Sequence, residues 1–217
     1  MADTGDQLLR EVEEDLQREQ WLRLWKTYGR YVVSVVTLVI VIVAGYTGYK
    51  EYSESQLADD GFMFWQADRE ALLGNPDNAA AIFDGLVKDG DEGYPYLAGL
   101  REAQILANGG NLDEAVALYD TLAGMSVDQR YRDLAALYAV ILLVDGGDPA
   151  NVSSRIGALL DSAWRHSALE MRGLLELRAG DTEAAAATFA EIVTDLNTPT
   201  TLRNRAAELL VIAGGAL

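Results

Sequence analysis

The sequence offers few side chains suited to catalysis or metal binding. His166 is the only histidine and the chain has no cysteine, so a zinc site or a histidine-based triad would lack its usual partners. Glu13 and Glu14 are adjacent carboxylates, but on an exposed helix face general acid–base catalysis would lack a pocket. The motifs G-x-x-x-x-G-K-[ST] and G-x-S-x-G are also missing. We predict that the protein is not an enzyme, holds no metal or cofactor, and takes no small-molecule substrate.

The acidic segment from Asp89 to Gly93, DGDEG, resembles the start of a calcium-binding loop. Such a loop needs glycine at its sixth position and a bidentate glutamate at its twelfth. Counted from Asp89, these positions hold Tyr94 and Leu100. We therefore interpret the segment as a solvated turn between helices, and we place His166 in a packed or surface role at a helix start.

The charge of the chain excludes another class of function. The formal net charge is -17, whereas a nucleic-acid-binding surface needs an excess of lysine and arginine. The charge is also uneven, because residues 1–30 carry seven acidic and five basic side chains while residues 51–217 carry 27 acidic and 11 basic ones. We predict no nucleic-acid partner and a division of the chain near residue 40.

The dividing segment is a run of 19 uncharged residues from Tyr31 to Tyr49, YVVSVVTLVIVIVAGYTGY. A helix of this length spans about 28 Å, close to the hydrocarbon thickness of a bilayer. Its valine-rich composition would suit a strand, but 19 residues are too many for a globular sheet. Aromatic residues flank both ends, as at membrane interfaces. The run therefore predicts a transmembrane helix that contacts the lipid bilayer over residues 31–49.

Two features indicate that this predicted span is retained in the mature protein and how it is oriented in the membrane. Thirty residues precede it, many of them acidic, and Ala44-Gly45-Tyr46 offers no clean cleavage site, so we do not expect a cleaved signal peptide. Four basic residues lie within about 15 residues before the span, against fewer after it. They are Arg18, Arg23, Lys26 and Arg30. We expect a cytoplasmic N-terminus and, in a bacterium, a periplasmic C-terminal part.

The segment before the span, from Asp6 to Tyr28, has the pattern of an amphipathic helix, with its acidic residues first and its basic residues last, as suits the helix dipole. Its apolar face is open to either the membrane or a partner. Within the span, Ala44 and Gly48 are four residues apart. This spacing permits a helix-dimerisation face, but we favour the simpler interpretation that small residues are tolerated in a lone span.

The remainder of the chain is periodic. Four glycines, at Gly74, Gly110, Gly146 and Gly180, are spaced 36, 36 and 34 residues apart. A small residue precedes each by seven positions, and after three of them an alanine, an aromatic and an aliphatic residue follow at +5, +9 and +12. This pattern predicts pairs of antiparallel helices in which small residues allow close contact and a glycine ends each first helix.

The prolines agree with these pairs, since Pro76 and Pro149 fall at starts of second helices and Pro95 and Pro199 at junctions. In the third unit the alanine and aromatic positions counted from Gly146 hold Asn151 and Arg155, so the consensus is lost there. We place the units at about 60–93, 96–129, 131–164 and 166–199, and a capping helix at Leu202 to Ile212. One such pair cannot bury its apolar face alone, so neighbours must stack.

A period near 34 with paired small residues and an aromatic in the second helix resembles tetratricopeptide repeats over residues 60–199. The resemblance implies an all-α, right-handed α-solenoid of about four helix pairs that binds proteins. The family's tryptophan and its G-x-x-Y pairing in the first helix are mostly absent. The run EVEEDLQREQWLRLWKTYGRYVV (Glu11 to Val33), one span and divergent repeats together resemble the bacterial YfgM-type family. That resemblance implies an inner-membrane protein associated with the Sec translocon and periplasmic chaperones.

These interpretations define four segments and one leading function. The segments are a cytoplasmic amphipathic helix (1–30), a transmembrane helix (31–49), a linker or helix extension (50–59) and a periplasmic repeat domain (60–217). We expect a membrane-anchored protein-binding module whose groove is lined by first helices. Its candidate ligand contacts are exposed residues around Arg69, Tyr96, Arg101, Arg132 and Arg172. The alternative is a structural or assembly subunit of another inner-membrane complex, held through residues 6–50.

Overall fold

The computed structural model describes the backbone of residues 3–215 and the side chains of Leu22 and of residues 24–215. Over these residues the chain forms nine α-helices and no strands, which confirms the predicted all-α class. The chain divides into two compact units, Met1–Gln56 and Leu57–Leu217. Side chains of the predicted amphipathic segment before Leu22 lie outside the described residues.

The first unit consists of the greater part of helix α1, which is assigned over Asp3–Leu72. By length and composition the window Leu24–Leu72 holds a stretch apolar enough to cross a membrane, and within the described residues none of that stretch is buried by protein. Ser34 and Thr47 donate their hydroxyl hydrogens to the carbonyls of Arg30 and Val43, each over 2.8 Å. Their polar groups are therefore satisfied within the helix, as an apolar environment requires.

The second unit is a succession of helix pairs. After the end of α1 its helices are α2 (Pro76–Asp89), α3 (Tyr94–Asn108), α4 (Leu112–Ala123), α5 (Gln129–Leu143), α6 (Pro149–Leu159), α7 (Arg165–Arg178), α8 (Thr182–Thr194) and α9 (Thr200–Ile212). Each of these helices packs against the next along the chain, and α5 and α7 also contact the following first helices α7 and α9. Four pairs followed by one further helix match the predicted number and order.

The predicted small-residue positions form the contacts between paired helices. Alanines at both positions are fully buried, and the aromatic and aliphatic positions of the second helices are buried beside them. The set comprises Ala67, Ala103, Ala139, Ala79, Ala115, Ala185, Phe83, Tyr119, Phe189, Leu86, Leu122 and Ile192. The periodic interpretation of these positions is confirmed.

Glycine ends the first helix in three of the four pairs, as predicted. Gly74, Gly110 and Gly180 have φ angles of 83°, 86° and 81°, in the left-handed region that favours glycine. In each turn the next residue's amide donates to a carbonyl five residues earlier, as Asn75 does to Glu70 over 3.0 Å. This is the hydrogen bond of the Schellman motif, in which a right-handed helix ends at a residue with left-handed backbone angles.

The predicted register of the second helix in the third pair was wrong by one residue. Gly146 does not have a positive φ, and the buried residues after it are Val152, Ile156 and Leu159. These lie 5, 9 and 12 positions after Gly147, so α6 keeps the spacing of the other second helices when counted from Gly147. Gly147 has no positive φ either, and Ala139, seven residues before Gly146, is buried as predicted. Asp148 follows Gly147 as the N-cap of α6 and accepts a hydrogen bond from the amide of Asn151. The turn is one residue longer, which is why Asn151 and Arg155 appeared to break the consensus.

The prolines and the junctions fit the observed helices. Pro76 and Pro149 begin α2 and α6 as expected, but Pro95 lies in the first turn of α3, which begins earlier than predicted. Proline is tolerated there because the amides of a first turn have no partner within the helix. In the junction from Asp89 to Gly93, the amide of Asp91 donates to the carboxylate of Asp60 over 2.7 Å.

Candidate protein-binding groove

Three neighbouring cavities run along the first helices of the pairs in the second unit. The first, about 230 Å³, is lined by α1, α2 and α3 and includes Asp68 and Arg101. The second, about 470 Å³, shares Arg101 and Gln104 with the first and extends to Tyr138 on α5. The third, about 510 Å³, shares Tyr138 with the second and lies among α5, α7 and α9. We call these connected cavities the first-helix groove.

The third cavity is the most apolar part of this groove. Its apolar lining consists of Leu134, Leu137, Tyr138, Ile141, Trp164, Met171, Leu174 and Leu209. Tyr138 is 38% exposed and Ile141 is 40% exposed, whereas Leu137 and Val140 of the same helix are buried. The cavity thus presents apolar side chains to solvent between helices, where a partner can cover them.

Helix α5 exposes these residues because it is apolar on more than one face. Ala135 and Ala139 pack in the cluster with α3 and α4, while Leu137 and Val140 pack in the cluster with α6 and α7. The Tyr138 ring lies against the ring of Tyr119, with centroids 5.4 Å apart. The position of Tyr138 at the groove is therefore fixed by a neighbouring helix pair.

Charges within the groove are paired across successive first helices. Buried Glu170 on α7 accepts hydrogen bonds from Arg205 on α9, through both Nε and Nη2. Arg101 on α3 likewise donates to Asp68 on α1. Since these four are the charged side chains that line the three cavities, the groove is electrically neutral in an acidic part of the chain.

Of the five residues predicted from sequence, Arg101 lines the first-helix groove. Arg69 lies over the ring of Trp65, with its guanidinium carbon 5.4 Å from the ring centroid. Arg132 donates to the carbonyl of Val127 over 3.1 Å. Arg172 contacts Glu191 on α8 over 3.3 Å. Arg69, Arg132 and Arg172 are absent from the linings of the three cavities.

Tyr96 requires a correction, because it was expected at an exposed position and is only 4% exposed. It lies seven residues before Ala103, which is two helical turns, and so shares the buried face of that alanine. Its hydroxyl donates to the carbonyl of Tyr131 over 2.5 Å. Burial raises the pKa of Tyr96 to about 12, and the residue joins one helix pair to the next.

The groove residues that sequence reasoning missed are mainly apolar. Tyr138 and Ile141 follow Leu134 at the i, i+4 and i+7 positions, so they form a second apolar stripe on α5 beside the stripe of small residues. A helix with apolar residues on two faces is expected to contact a second element or a partner in addition to its own core. Glu170 and Arg205 carry no such signal, since their pairing over 35 residues depends on the stacking of helices.

His166 has a structural role within the second unit. Its Nε2 lies 2.9 Å from Oδ2 of Asp195, and Arg165 donates to the same oxygen over 3.2 Å. The hydrogen bond from His166 lowers the pKa of Asp195 to about 2, with a further contribution from the amide of Asn197. Within the described part of the chain, no group of three or more acidic or histidine side chains is placed to hold a metal ion.

A comparison with protein families shows which family the chain matches. The family described as "Tetratricopeptide repeat-like domain" matches residues 22–209, which is most of the chain. The match begins before the candidate membrane span and extends into α9. No curated protein is significantly similar in sequence.

Proposed function

Because the chain belongs to the family of tetratricopeptide repeat-like domains, we propose that it is a membrane-anchored module that binds an apolar segment of a partner protein in the first-helix groove. Stacked helix pairs commonly use a surface lined by equivalent helices to bind other proteins. A segment that lies in such a groove contacts it through apolar anchors spaced along one face.

The observation that carries this proposal is the exposure of Tyr138 and Ile141 within an apolar cavity. Full burial of one large apolar side chain contributes roughly 1.5–3 kcal/mol. A partner segment that covers both residues therefore gains a substantial part of the roughly 8 kcal/mol of binding free energy that corresponds to a micromolar dissociation constant. The charges of the groove are already paired, as Glu170 is with Arg205. A charged occupant would find no counter-charge there, which favours an apolar one.

The proposed anchor is the transmembrane helix over residues 31–49. Its support is the length of the apolar run, the exposure of its side chains and the hydrogen bonds of Ser34 and Thr47 within the helix. The excess of basic residues before the run supports a cytoplasmic N-terminus. In a bacterium the repeat domain then lies in the periplasm and the span in the inner membrane.

The proposed partners are components of the Sec translocon or periplasmic chaperones. This assignment rests on the resemblance of residues 11–50 and of the overall architecture to the YfgM-type family. The 27 acidic and 11 basic side chains of residues 51–217 favour partners with basic patches outside the groove. The module would then assist the translocation of secreted chains or recruit chaperones to them.

A second candidate function is that of an assembly subunit held through its membrane segment. The observation that favours it is the exposure of every large apolar residue described from Leu22 to Tyr49. Such a surface suits other transmembrane helices as well as lipid. Replacement of residues 6–50 by an unrelated anchor distinguishes the two functions, since it abolishes partner capture only if this surface is the interface.

The groove is tested with Ile141→Glu in the full-length protein, and Ile212→Glu is the matched control. Ile212 is an exposed isoleucine on α9 and is absent from the linings of the three cavities. We expect affinity capture in detergent, with a crosslinker at Tyr138, to recover a translocon or chaperone component. The yield should fall with Ile141→Glu and remain with Ile212→Glu. Equal recovery from both variants would show that the groove is not the binding site.

A further inference from the structure

A further cavity, of about 370 Å³, lies between the N-terminal ends of α3 and α5, away from the turns that end these helices. Its lining consists of Gly93, Tyr96, Leu97, Val127, Asp128 and Tyr131. None of these six residues lines the first-helix groove. We call this site the junction cavity, because it lies where one helix pair joins the next.

The junction cavity presents apolar side chains to solvent. Leu97 is 48% exposed and Tyr131 is 53% exposed, whereas Tyr96 beside them is buried. Of the six lining residues, Asp128 alone is charged. The volume of the cavity falls within the range of about 300–1,000 Å³ that is usual for binding pockets. The cavity can therefore accommodate a side chain of a partner.

Hydrogen bonds from two sides fix the shape of this cavity. From α3, the hydroxyl of Tyr96 donates to the carbonyl of Tyr131, and the two rings lie with their centroids 5.8 Å apart. From the junction before α7, Nε1 of Trp164 donates to the carbonyl of Arg130 over 2.8 Å. The first turn of α5 is therefore held in place before a partner binds, and such preorganisation lowers the ordering cost of association.

The charge around the junction cavity is negative. Residues 89–97 and 127–133, which contain its lining, carry five acidic and two basic side chains. Both basic side chains are already engaged, because Arg130 forms an ion pair with Asp128 over 3.1 Å and Arg132 donates to the carbonyl of Val127 over 3.1 Å. A partner therefore meets an excess of carboxylates here, unlike in the electrically neutral groove.

The loop between α2 and α3 supplies most of this excess. Asp91 and Glu92 are exposed, and within the described part of the chain neither carboxylate forms a salt bridge. The amide of Asp91 donates to the carboxylate of Asp60 over 2.7 Å, which brings a third acidic side chain to the loop. Lys88, just before the loop, is paired with Asp84 over 2.6 Å. A cationic side chain of a partner would supply the missing counter-charge.

We propose that the junction cavity binds a segment of a partner protein in which an arginine stands next to an apolar residue. The apolar side chain packs against Leu97 and Val127, and the guanidinium lies against the ring of Tyr131, beside the loop that holds Asp91 and Glu92. Arginine suits this position because its planar guanidinium stacks on aromatic rings and remains charged. This second site is separate from the first-helix groove and does not depend on the function proposed for the groove.

The proposal is tested with a fluorescently labelled synthetic peptide in which arginine and leucine alternate, added to the full-length protein in a nonionic detergent. Two matched peptides have glutamate in place of each arginine, or glycine in place of each leucine. Fluorescence anisotropy measures the dissociation constants. We expect the arginine–leucine peptide to bind, the glutamate peptide not to bind, and the glycine peptide to bind more weakly, because the site combines an apolar lining with uncompensated carboxylates.

Variants of the protein locate this binding. Tyr131→Ala should raise the dissociation constant of the arginine–leucine peptide about ten-fold, and Leu97→Ala about five-fold, since each removes a side chain that the peptide covers. Leu112→Ala on α4 is the matched control, because Leu112 is 46% exposed and lies outside the lining of the cavity. Leu112→Ala and Ile141→Glu in the groove should leave the dissociation constant unchanged.

One variant should act in the opposite direction. Arg130→Met releases the carboxylate of Asp128 and removes a positive charge beside the cavity, so it should lower the dissociation constant about three-fold. Weaker binding by Arg130→Met would contradict the proposed role of charge.

Three other results would overturn the proposal. They are no binding of the arginine–leucine peptide, equal binding of the glutamate peptide, and an affinity that Tyr131→Ala and Leu97→Ala leave unchanged, which would indicate a diffuse attraction to the acidic surface. A peptide displaced by Ile141→Glu and not by Tyr131→Ala would lie in the groove and would also overturn it. The groove-binding function is judged separately, by partner capture with Ile141→Glu and Ile212→Glu.

Discussion

The ring of Phe189 on α8 lies directly against the α-carbon of Gly173 on α7. A β-carbon at residue 173 would lie only 2.5 Å from Cε1 of that ring, and Phe189 is fully buried. In the last helix pair, α7 and α8 are therefore packed so closely at this point that only glycine fits. The three earlier pairs have alanine at the equivalent position.

Gly173→Ala should destabilise the protein. The added methyl group forces a buried ring to move, and such overpacking costs typically about 1–3 kcal/mol. Gly157→Ala on α6 is the matched control, because its β-carbon would meet nothing within 4 Å, and alanine there should stabilise the helix by roughly 0.5–1 kcal/mol. Thermal or denaturant unfolding measures both. A neutral Gly173→Ala would contradict the close approach.

Arg178→Met should destabilise the longer turn of the third pair. Arg178 donates to the carbonyls of Val144 and Gly147 over 2.6 and 2.7 Å, and their loss should cost about 1–3 kcal/mol. Arg130→Met removes an ion pair with Asp128 that is open to solvent, so it should lower the free energy of unfolding much less than Arg178→Met does. Denaturant unfolding should separate the two variants, and equal losses would argue against a structural role for Arg178.

For the Glu170–Arg205 pair, replacing Arg205 alone should cost more unfolding free energy than replacing both residues. Arg205→Met leaves a buried carboxylate without its partner and should cost about 1–3 kcal/mol of unfolding free energy. Substitution of both residues, Glu170→Leu with Arg205→Met, should recover most of that loss, because no uncompensated charge remains. A double-mutant cycle measures the coupling. If the double variant loses as much as the two single variants together, the pair is not coupled.

Asp195→Asn should reduce stability at neutral pH, with a loss that shrinks in acid. The pKa of Asp195 is lowered to about 2 by its hydrogen bond from His166, so its ionised form stabilises the folded state. That contribution is fully present above the ordinary value of 3.8 and is lost as the pH falls through about 2. Unfolding measured from pH 7 to pH 2 should therefore show the curves of wild type and variant converging below about pH 4.

Asp145→Asn is the control for this pH dependence, as Asp145 is an exposed carboxylate on the α5–α6 turn. Its difference from wild type should stay small across the range. A difference between wild type and Asp195→Asn that grew in acid would have the wrong sign for a depressed pKa.

The proposed orientation predicts which thiols an impermeant reagent reaches. Leu196→Cys should react with an impermeant maleimide in intact spheroplasts, and Glu13→Cys should react only after lysis. The reason is that basic residues beside a span are retained on the cytoplasmic side. Reversed reactivity would place the repeat domain in the cytoplasm.

Several features followed from sequence because they depend on local chemistry. The positions of the helix pairs, the left-handed glycines at residues 74, 110 and 180, and the buried alanines are set by periodicity and by backbone preferences of single residues. The length and composition of residues 31–49 are likewise sufficient to predict a membrane span. In each case the deciding information lies in the order and spacing of residues along the chain.

Other features were decided only by the tertiary structure. The second helix of the third pair is shifted by one residue: two adjacent glycines left its register open, and the buried residues are Val152, Ile156 and Leu159. Glu170 and Arg205 were missed because they pair with each other over 35 residues. Tyr96 was misjudged although its spacing of seven from Ala103 places it on the buried face; the acceptor of its hydroxyl, Tyr131, lies 35 residues away. Sequence alone therefore determined the stacked helices and their spacing. The stacking itself decided which side chains remain exposed at the groove, since exposure depends on neighbours distant in the chain.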